Sequence, residues 1–234
     1  MNGDESNSAF HTRSVDDILG AMDSDMSGLA SEDADRRRAE YGPNEIRDSQ
    51  EISPLEIFIN QFRDFLIYLL IFAAIISLAV GLIPGHEPEY VDAALIMLIL
   101  IANGIFGFVQ DYQAEKSIEA LKDLSTPDAT VIRDGERHVV DSSEVVPGDV
   151  IVIEGGDAIP ADARLIETAS LETDESTLTG ESAQVTKGTD PTEPDAPVAE
   201  RTNMVYMNTS AVRGRGKAVV TETAMDTQVG AIAQ

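Results

Sequence analysis

The sequence predicts an α+β membrane protein: N-terminal helices, then a two-helix transmembrane hairpin, then a compact β domain. Three observations predict it. Two long apolar runs occupy residues 65–83 and 91–109. The residues before them carry helix caps and helical spacing. After residue 127 the chain changes to short β-branched runs punctuated by Gly and Pro.

Ser14 is placed to cap a short helix whose Val15, Ile18, Leu19 and Met22 share one face. Ser31 is placed to cap a second. Its acids Glu32, Asp33 and Asp35 come early and Arg36, Arg37 and Arg38 late, the order the helix dipole favours. Gly42-Pro43 ends it. The arginine run reads as a solvated helix end, with lipid headgroups as the alternative partner. Ser53-Pro54-Leu55-Glu56 combines a cap, a proline at the first helical position and a glutamate placed for a capping box. Ile52, Leu55, Phe58, Ile59 and Phe62 then form an amphipathic lead at the membrane surface.

Residues 65–83 (FLIYLLIFAAIISLAVGLI) contain no charge and are long enough to cross a bilayer as a helix. Residues 91–109 are similar, with Asp92 at the edge and Asn103 and Gly104 inside. The link PGHEPEY has no Lys or Arg, whereas Arg63 precedes the first span and Lys116 and Lys122 follow the second. The positive-inside rule therefore predicts a multi-pass cell-membrane protein with both termini cytoplasmic. The second helix is expected to continue through 111–124, with Ala114, Ile118 and Leu121 on one side, until Pro127 stops it.

ATVIR and ERHVV flank Asp134-Gly135, a hairpin signal with a mechanism, because both turn residues tolerate positive φ. Pro147-Gly148 turns into DVIVI, Gly155-Gly156 turns again, and ARLIE follows. NMVYMNTSAV and KAVVTET supply later strands. The proline-rich, acidic stretch 188–200 reads as an exposed excursion. The division expected is a helical cytoplasmic segment (1–50), the lead and two spans (51–110), and a stalk helix with the β domain (111–234).

Acidic residues outnumber basic ones by 42 to 16, leaving a formal charge of −26, which excludes a nucleic-acid reader. The carboxylates are spread through every polar segment. That pattern fits a halophilic host whose molar salt screens repulsion over about 3 Å. Cysteine is absent, so neither a disulfide framework nor a thiolate metal site is expected. His11, His86 and His138 are far apart and read as surface or turn residues.

The stretch STLTGES, residues 176–182, is either a polar turn or a site that handles phosphate. Its context decides. Tyr41-Gly42-Pro43-Asn44-Glu45, Pro147-Gly148-Asp149, Gly156-Asp157, Pro160-Ala161-Asp162 and Asp174-Glu175-Ser176 lead in order to Leu178-Thr179-Gly180-Glu181-Ser182. Over residues 12–234 this series resembles the N-terminal part of the type II P-type cation-transporting ATPases, calcium pumps in particular. The resemblance implies a distorted jelly-roll-like actuator domain beside the hairpin. In such pumps ATP phosphorylates an aspartate, and the actuator then promotes hydrolysis of the aspartyl phosphate to drive ion transport.

Carried over by position, Glu181 orients and deprotonates the attacking water. Gly180 lets backbone approach the phosphate, and Thr179 and Ser182 supply hydroxyls. The acidic Asp149, Asp157 and Asp162 read as turn-fixing residues. Asn208 and Ala224 stand where the family has glycine; if those positions need positive φ, Ala is strained and Asn is not. ATP and Mg2+ are cofactors expected of the full pump, held by other segments. The family's DKTGT phosphorylation sequence does not occur in these 234 residues, so the chain alone is expected to be inactive. Expected partners are the lipid bilayer, the pump's remaining domains and the transported cation. The alternative is a non-catalytic, membrane-anchored regulator or a vestigial fragment.

Overall fold

The computed structural model describes residues 9–46, 54–63, 65–80, 90–123, 127–180 and 183–233. The chain divides into two compact units, residues 50–125 and residues 1–49 with 126–234.

The first unit is helical. It comprises α3 (Pro54–Asn60), a 3-10 turn (Gln61–Arg63), α4 (Phe65–Val80) and α5 (Tyr90–Asp123). The N-terminal helices α1 (Val15–Ala21) and α2 (Ser31–Tyr41) belong to the other unit. Helix α5 runs unbroken for 34 residues, about 50 Å, as the sequence reading expects of a span that continues beyond the apolar region. Among the described residues one helix, Ala94–Ser117, is long and apolar enough by itself to cross a membrane. Of the first predicted span, residues 65–80 are described and all are helical, as α4, while 81–83 lie outside the described residues. Among the described residues the lead and α4 pass the length and hydropathy test together, with a 65° bend between them. In the lead Ile57 is buried, while Leu55, Phe58 and Ile59, from the face expected at the membrane surface, are exposed. Ile52 lies outside the described residues. Packing within the unit relies on small residues. A Cβ on Gly104 would stand 3.2 Å from the Phe62 ring, and the Phe58 ring packs edge-on against Phe62 and Phe108.

The second unit is an antiparallel sheet of β1 (Asp128–Arg133), β2 (Glu136–Asp141), β3 (Val150–Glu154), β4 (Asp162–Asp174), β5 (Gln184–Thr186), β6 (Met204–Val205) and β7 (Ser210–Glu222). Its order is β2-β1-β3-β7-β4-β5, with β6 beside β4. Asp134 and Gly135 both take positive φ, 54° and 78°, and close a two-residue turn with Arg133 opposite Glu136. The predicted strand NMVYMNTSAV divides into β6 and the first residues of β7, and most of the predicted KAVVTET continues the same 13-residue β7. The glycines between them make a bulge instead of a turn. Gly214 has φ 80°, and a Cβ there would sit 2.0 Å from the Ser170 carbonyl oxygen, where β4 and β7 shift register.

Alternation sends side chains to two apolar layers. Val131, Ile151, Ile153, Ala163, Leu165, Ala218 and Val220 fill one. Ile132, Val150, Val152, Ile166 and Val219 fill the other, which is covered by Phe10, Ile18 and Leu19 from the N-terminal segment. That segment and the β domain therefore share a core.

Helix α1 (Val15–Ala21) is capped as expected, Ser14 Oγ accepting from the Asp17 N–H at 3.2 Å. Helix α2 (Ser31–Tyr41) is not capped by the Ser31 side chain. Asp134, from the β1–β2 turn, accepts from Ser31 N at 3.1 Å and from Ser31 Oγ at 2.5 Å. One aspartate thus serves a hairpin turn and a helix end. Arg37 is not solvated: its guanidinium donates to the carbonyls of Met22 and Pro147, both at 2.8 Å. Arg36 pairs with Asp33 and Arg38 with Glu144. Asn44 is buried and makes three long-range bonds, donating to the Ser142 and Pro160 carbonyls and accepting from Ala224 N.

His11 is also buried, contrary to the surface reading. Burial, then the charge of Arg201, holds its imidazole below the ordinary range. His138 is exposed, and His86 lies outside the described residues. The excursion 188–200 is tied down by this same segment: Thr192 N donates to the His11 carbonyl at 2.9 Å, and buried Arg164 donates to the Arg13 and Thr189 carbonyls.

Candidate functional site

STLTGES sits in the connection between β4 and β5, residues 175–183. The base of this hairpin is set by the pairs Asp174–Gln184, Thr173–Val185 and Glu172–Thr186. Asp174 opens the connection with an Asx turn, its Oδ1 accepting from Ser176 N at 3.0 Å. That bond and the Ser176 hydroxyl hold its carboxyl below the usual range. A single helical turn follows, α6 (Ser176–Thr179). The Glu175 carbonyl accepts from Leu178 N, Thr179 N and Thr179 Oγ1 at 2.9–3.0 Å.

Gly180 ends the turn with φ 74° and ψ −1°, and its N–H returns to the Ser176 carbonyl. Its left-handed backbone explains the glycine. Among the described residues no atom lies within 4 Å of the place a Cβ would occupy, so this backbone is open on that side. Thr177 Oγ1 donates to the Asn208 carbonyl at 3.0 Å and ties the connection to the turn before β7. Of the four residues expected to form the site, Thr179 and Gly180 are thus adjacent on a defined turn. Glu181 and Ser182 lie outside the described residues.

Beneath the turn is a buried polar cluster that sequence reasoning missed. Glu175 turns its carboxylate inward to pair with Lys187, and both side chains are fully enclosed. Thr173 Oγ1 donates to Glu175 Oε1 at 2.9 Å, and the Lys187 ammonium lies 5.7 Å from the Tyr206 ring centre. Burial pulls the Lys187 ammonium down from its ordinary value, opposed by Glu175. Burial pushes the Tyr206 phenol up. The only sequence signal for this pair is register. With Thr186 opposite Glu172, Lys187 N reaches the Leu171 carbonyl at 2.9 Å, on the inner side of the hairpin.

The three acidic residues read as turn-fixers divide. Asp157 fits, accepting from Glu154 N at 2.8 Å. Asp149 accepts from Val146 N and also holds Arg133 in a two-bond ion pair at 2.6 and 2.8 Å. Asp162 is a long-range clamp, accepting from Met207 N and Gln228 N at 2.8 Å each. Burial pushes its carboxyl up to about 6 despite those donors. Asn208 and Ala224 both adopt positive φ, 64° and 51°, so the glycine departures fall where backbone conformation demands it. Asn tolerates that conformation and Ala is strained.

Residues 123–234 match the family described as P-type ATPase actuator domain, and residues 10–77 match cation transporter/ATPase, N-terminus. The calcium-transporting ATPase of Bacillus subtilis (strain 168) is 42% identical over 226 residues, covering 96% of this chain and 25% of that protein. Calcium-transporting ATPase 1 of Bacillus cereus is 39% identical over 232 residues, 97% of this chain and 25% of that protein. The sodium/potassium exporting P-type ATPase cta3 of Schizosaccharomyces pombe is 37% identical over 210 residues, 88% of this chain and 20% of that protein. The chain therefore spans about a quarter of the length of the first relatives it matches.

Proposed function

Since this chain belongs to the P-type cation-transporting ATPases, as their N-terminal region and actuator domain, we propose that it promotes hydrolysis of an aspartyl phosphate in an ATP-driven calcium pump. The observation that carries this reading is the turn at Thr179-Gly180, the described half of TGES, in the domain that matches the actuator. Gly180 is left-handed there, with open backbone beside it among the described residues.

In the proposed step, water attacks the phosphorus, the bond from phosphorus to the aspartyl oxygen breaks, and inorganic phosphate leaves. Glu181 orients the water and takes its proton, a task that suits a carboxylate. Thr179 and Ser182 hold the loop or a phosphate oxygen. ATP and Mg2+ belong to other segments of the pump. Among the described residues no three His, Asp or Glu side chains converge to hold a metal ion. Calcium is favoured as cargo because the relatives of highest identity quoted above are calcium-transporting ATPases.

The helical unit is assigned to the bilayer as a two-span hairpin with both termini cytoplasmic. Leu98, Phe72 and Phe106 are at least 60% exposed within it, more apolar surface than a protein in water normally presents. The spread of acidic charge supports a high-salt host.

The test is Glu181→Gln in the assembled pump. Phosphorylation from ATP should remain, and decay of the phosphoenzyme should slow by about 100-fold or more, the scale of lost general base catalysis. A phosphoenzyme decaying at the normal rate would overturn the role. ATP-dependent calcium uptake into vesicles, absent with sodium or potassium alone, tests the cargo.

A further inference from the structure

We propose that the buried Glu175–Lys187 ion pair is a positioning device for the turn of residues 176–180, which leads into Glu181. This rests on the dephosphorylation reading above. Glu175 and Lys187 stand six residues before and six after Glu181 in the chain. They are the nearest residues on each side whose side chains are fully buried in a mutual contact.

Three observations give the pair its work. First, the arm that returns from the loop is weak. β5 has three residues and lies at the end of the sheet order, so three ladder pairs and the bond from Lys187 N to the Leu171 carbonyl are the backbone ties between β4 and β5 that oppose its fraying among the described residues. Second, the outgoing arm transmits. The Glu175 carbonyl holds both N–H groups and the hydroxyl that define the Leu178–Thr179 end of α6, so displacing Glu175 displaces the turn that presents Thr179 and Gly180. Third, the pair is a poor choice for stability alone. Enclosing two charges costs several kcal/mol per ion, and well-packed apolar side chains of similar volume often do as well or better. An ion pair instead punishes a one-residue slip of β5, because the slip would turn Lys187 to the other face and leave the Glu175 carboxylate buried without its counter-charge. Thr173 donates to the same carboxylate oxygen that Lys187 contacts, which fixes its rotamer. Glu175 Oε2 has no other partner among the described residues, so loss of Lys187 would not be compensated.

The experiment uses the assembled pump carrying Glu175→Gln/Lys187→Met, which removes both charges at nearly constant volume. Glu181→Gln is the comparator. Phosphoenzyme formation, phosphoenzyme decay and the thermal midpoint are measured on each. The expected result is normal formation and an unchanged or raised midpoint, with decay slowed at least about tenfold, since misplacement of a catalytic group by about 1 Å costs on the order of 100-fold. Normal decay in the double variant, beside slow decay in Glu181→Gln, overturns the positioning role alone and leaves the pair structural. Normal decay in both overturns the dephosphorylation reading, and the positioning role with it. Should the double variant fail to fold, Glu175→Gln, which keeps volume and the Thr173 hydrogen bond, is judged by formation and decay alone, its midpoint being expected to fall because Lys187 loses its counter-charge.

Discussion

The β unit contains two hairpins built on opposite plans. The β1–β2 hairpin closes in two residues, and Asp134 spends its side chain on the start of α2. The β4–β5 hairpin closes over residues 175–183, with an ion pair at its base. In the first, turn chemistry dictates register, and the tip is a structural joint. In the second, Thr177 ties the connection to the Asn208 carbonyl, and on our proposal buried charge holds the register from below. A loop can be exposed and still well placed if its stiffness comes from the scaffold beneath it.

Substitutions at the two tips should therefore separate chemistry from stability. The largest effect is expected at the long tip. Glu181→Gln should slow phosphoenzyme decay by about 100-fold or more while the thermal midpoint stays put. At the short tip, Asp134→Ala removes the cap of α2 and puts a Cβ-bearing residue without a polar side chain at φ 54°. It should cost about 1–2 kcal/mol in denaturant unfolding and leave decay unchanged, the reverse pattern. Slow decay in Asp134→Ala would show that the two tips are coupled and break the contrast.

A smaller effect tests strain outside both hairpins. Ala224→Gly, at φ 51°, should raise stability by up to about 1 kcal/mol, because relief of left-handed strain exceeds the added chain entropy. The last is a pH effect in the body of the sheet. Burial, then Asp162 and Asp226, pushes the Glu222 carboxyl up to about 7 from 4.5. A carboxylate raised on folding favours the folded state when protonated, so its contribution is lost as pH rises from about 4.5 through about 7. Glu222→Gln should raise the thermal midpoint at pH 8 and change it little at pH 4.5, and should leave decay kinetics as they were. No difference between those pH values would remove Glu222 from the account.

The short hairpin was legible residue by residue, because Asp134-Gly135 is a local instruction. Ser14 and Gly42-Pro43 were legible for the same reason. What failed was non-local. Arg213-Gly214-Arg215-Gly216 carries the composition of a turn, but Gly214 is needed for the approach of Ser170 across the sheet. Ser31 looks like a cap, yet a carboxylate 103 residues away takes the task. The excursion 188–200 has a solvent-loop composition, and only Arg164, Asn203 and the backbone of His11 reveal what holds it. In the candidate site, Thr179 and Gly180 came from a motif, and the structure supplied the turn that joins them. Lys187 came from neither composition nor motif, since its partner is defined by strand register.

Asn44 has a consequence for how the chain is made. It binds Ala224, 180 residues further along, and the helical unit is inserted between. During synthesis at roughly 5–20 residues per second, the N-terminal segment must wait about 10–40 s before its last anchoring strand emerges. Through that interval Ile18, Leu19 and Phe10 lack the sheet that covers them. Within this unit, the apolar face of residues 10–19 is thus the part that stays uncovered longest while the chain is made.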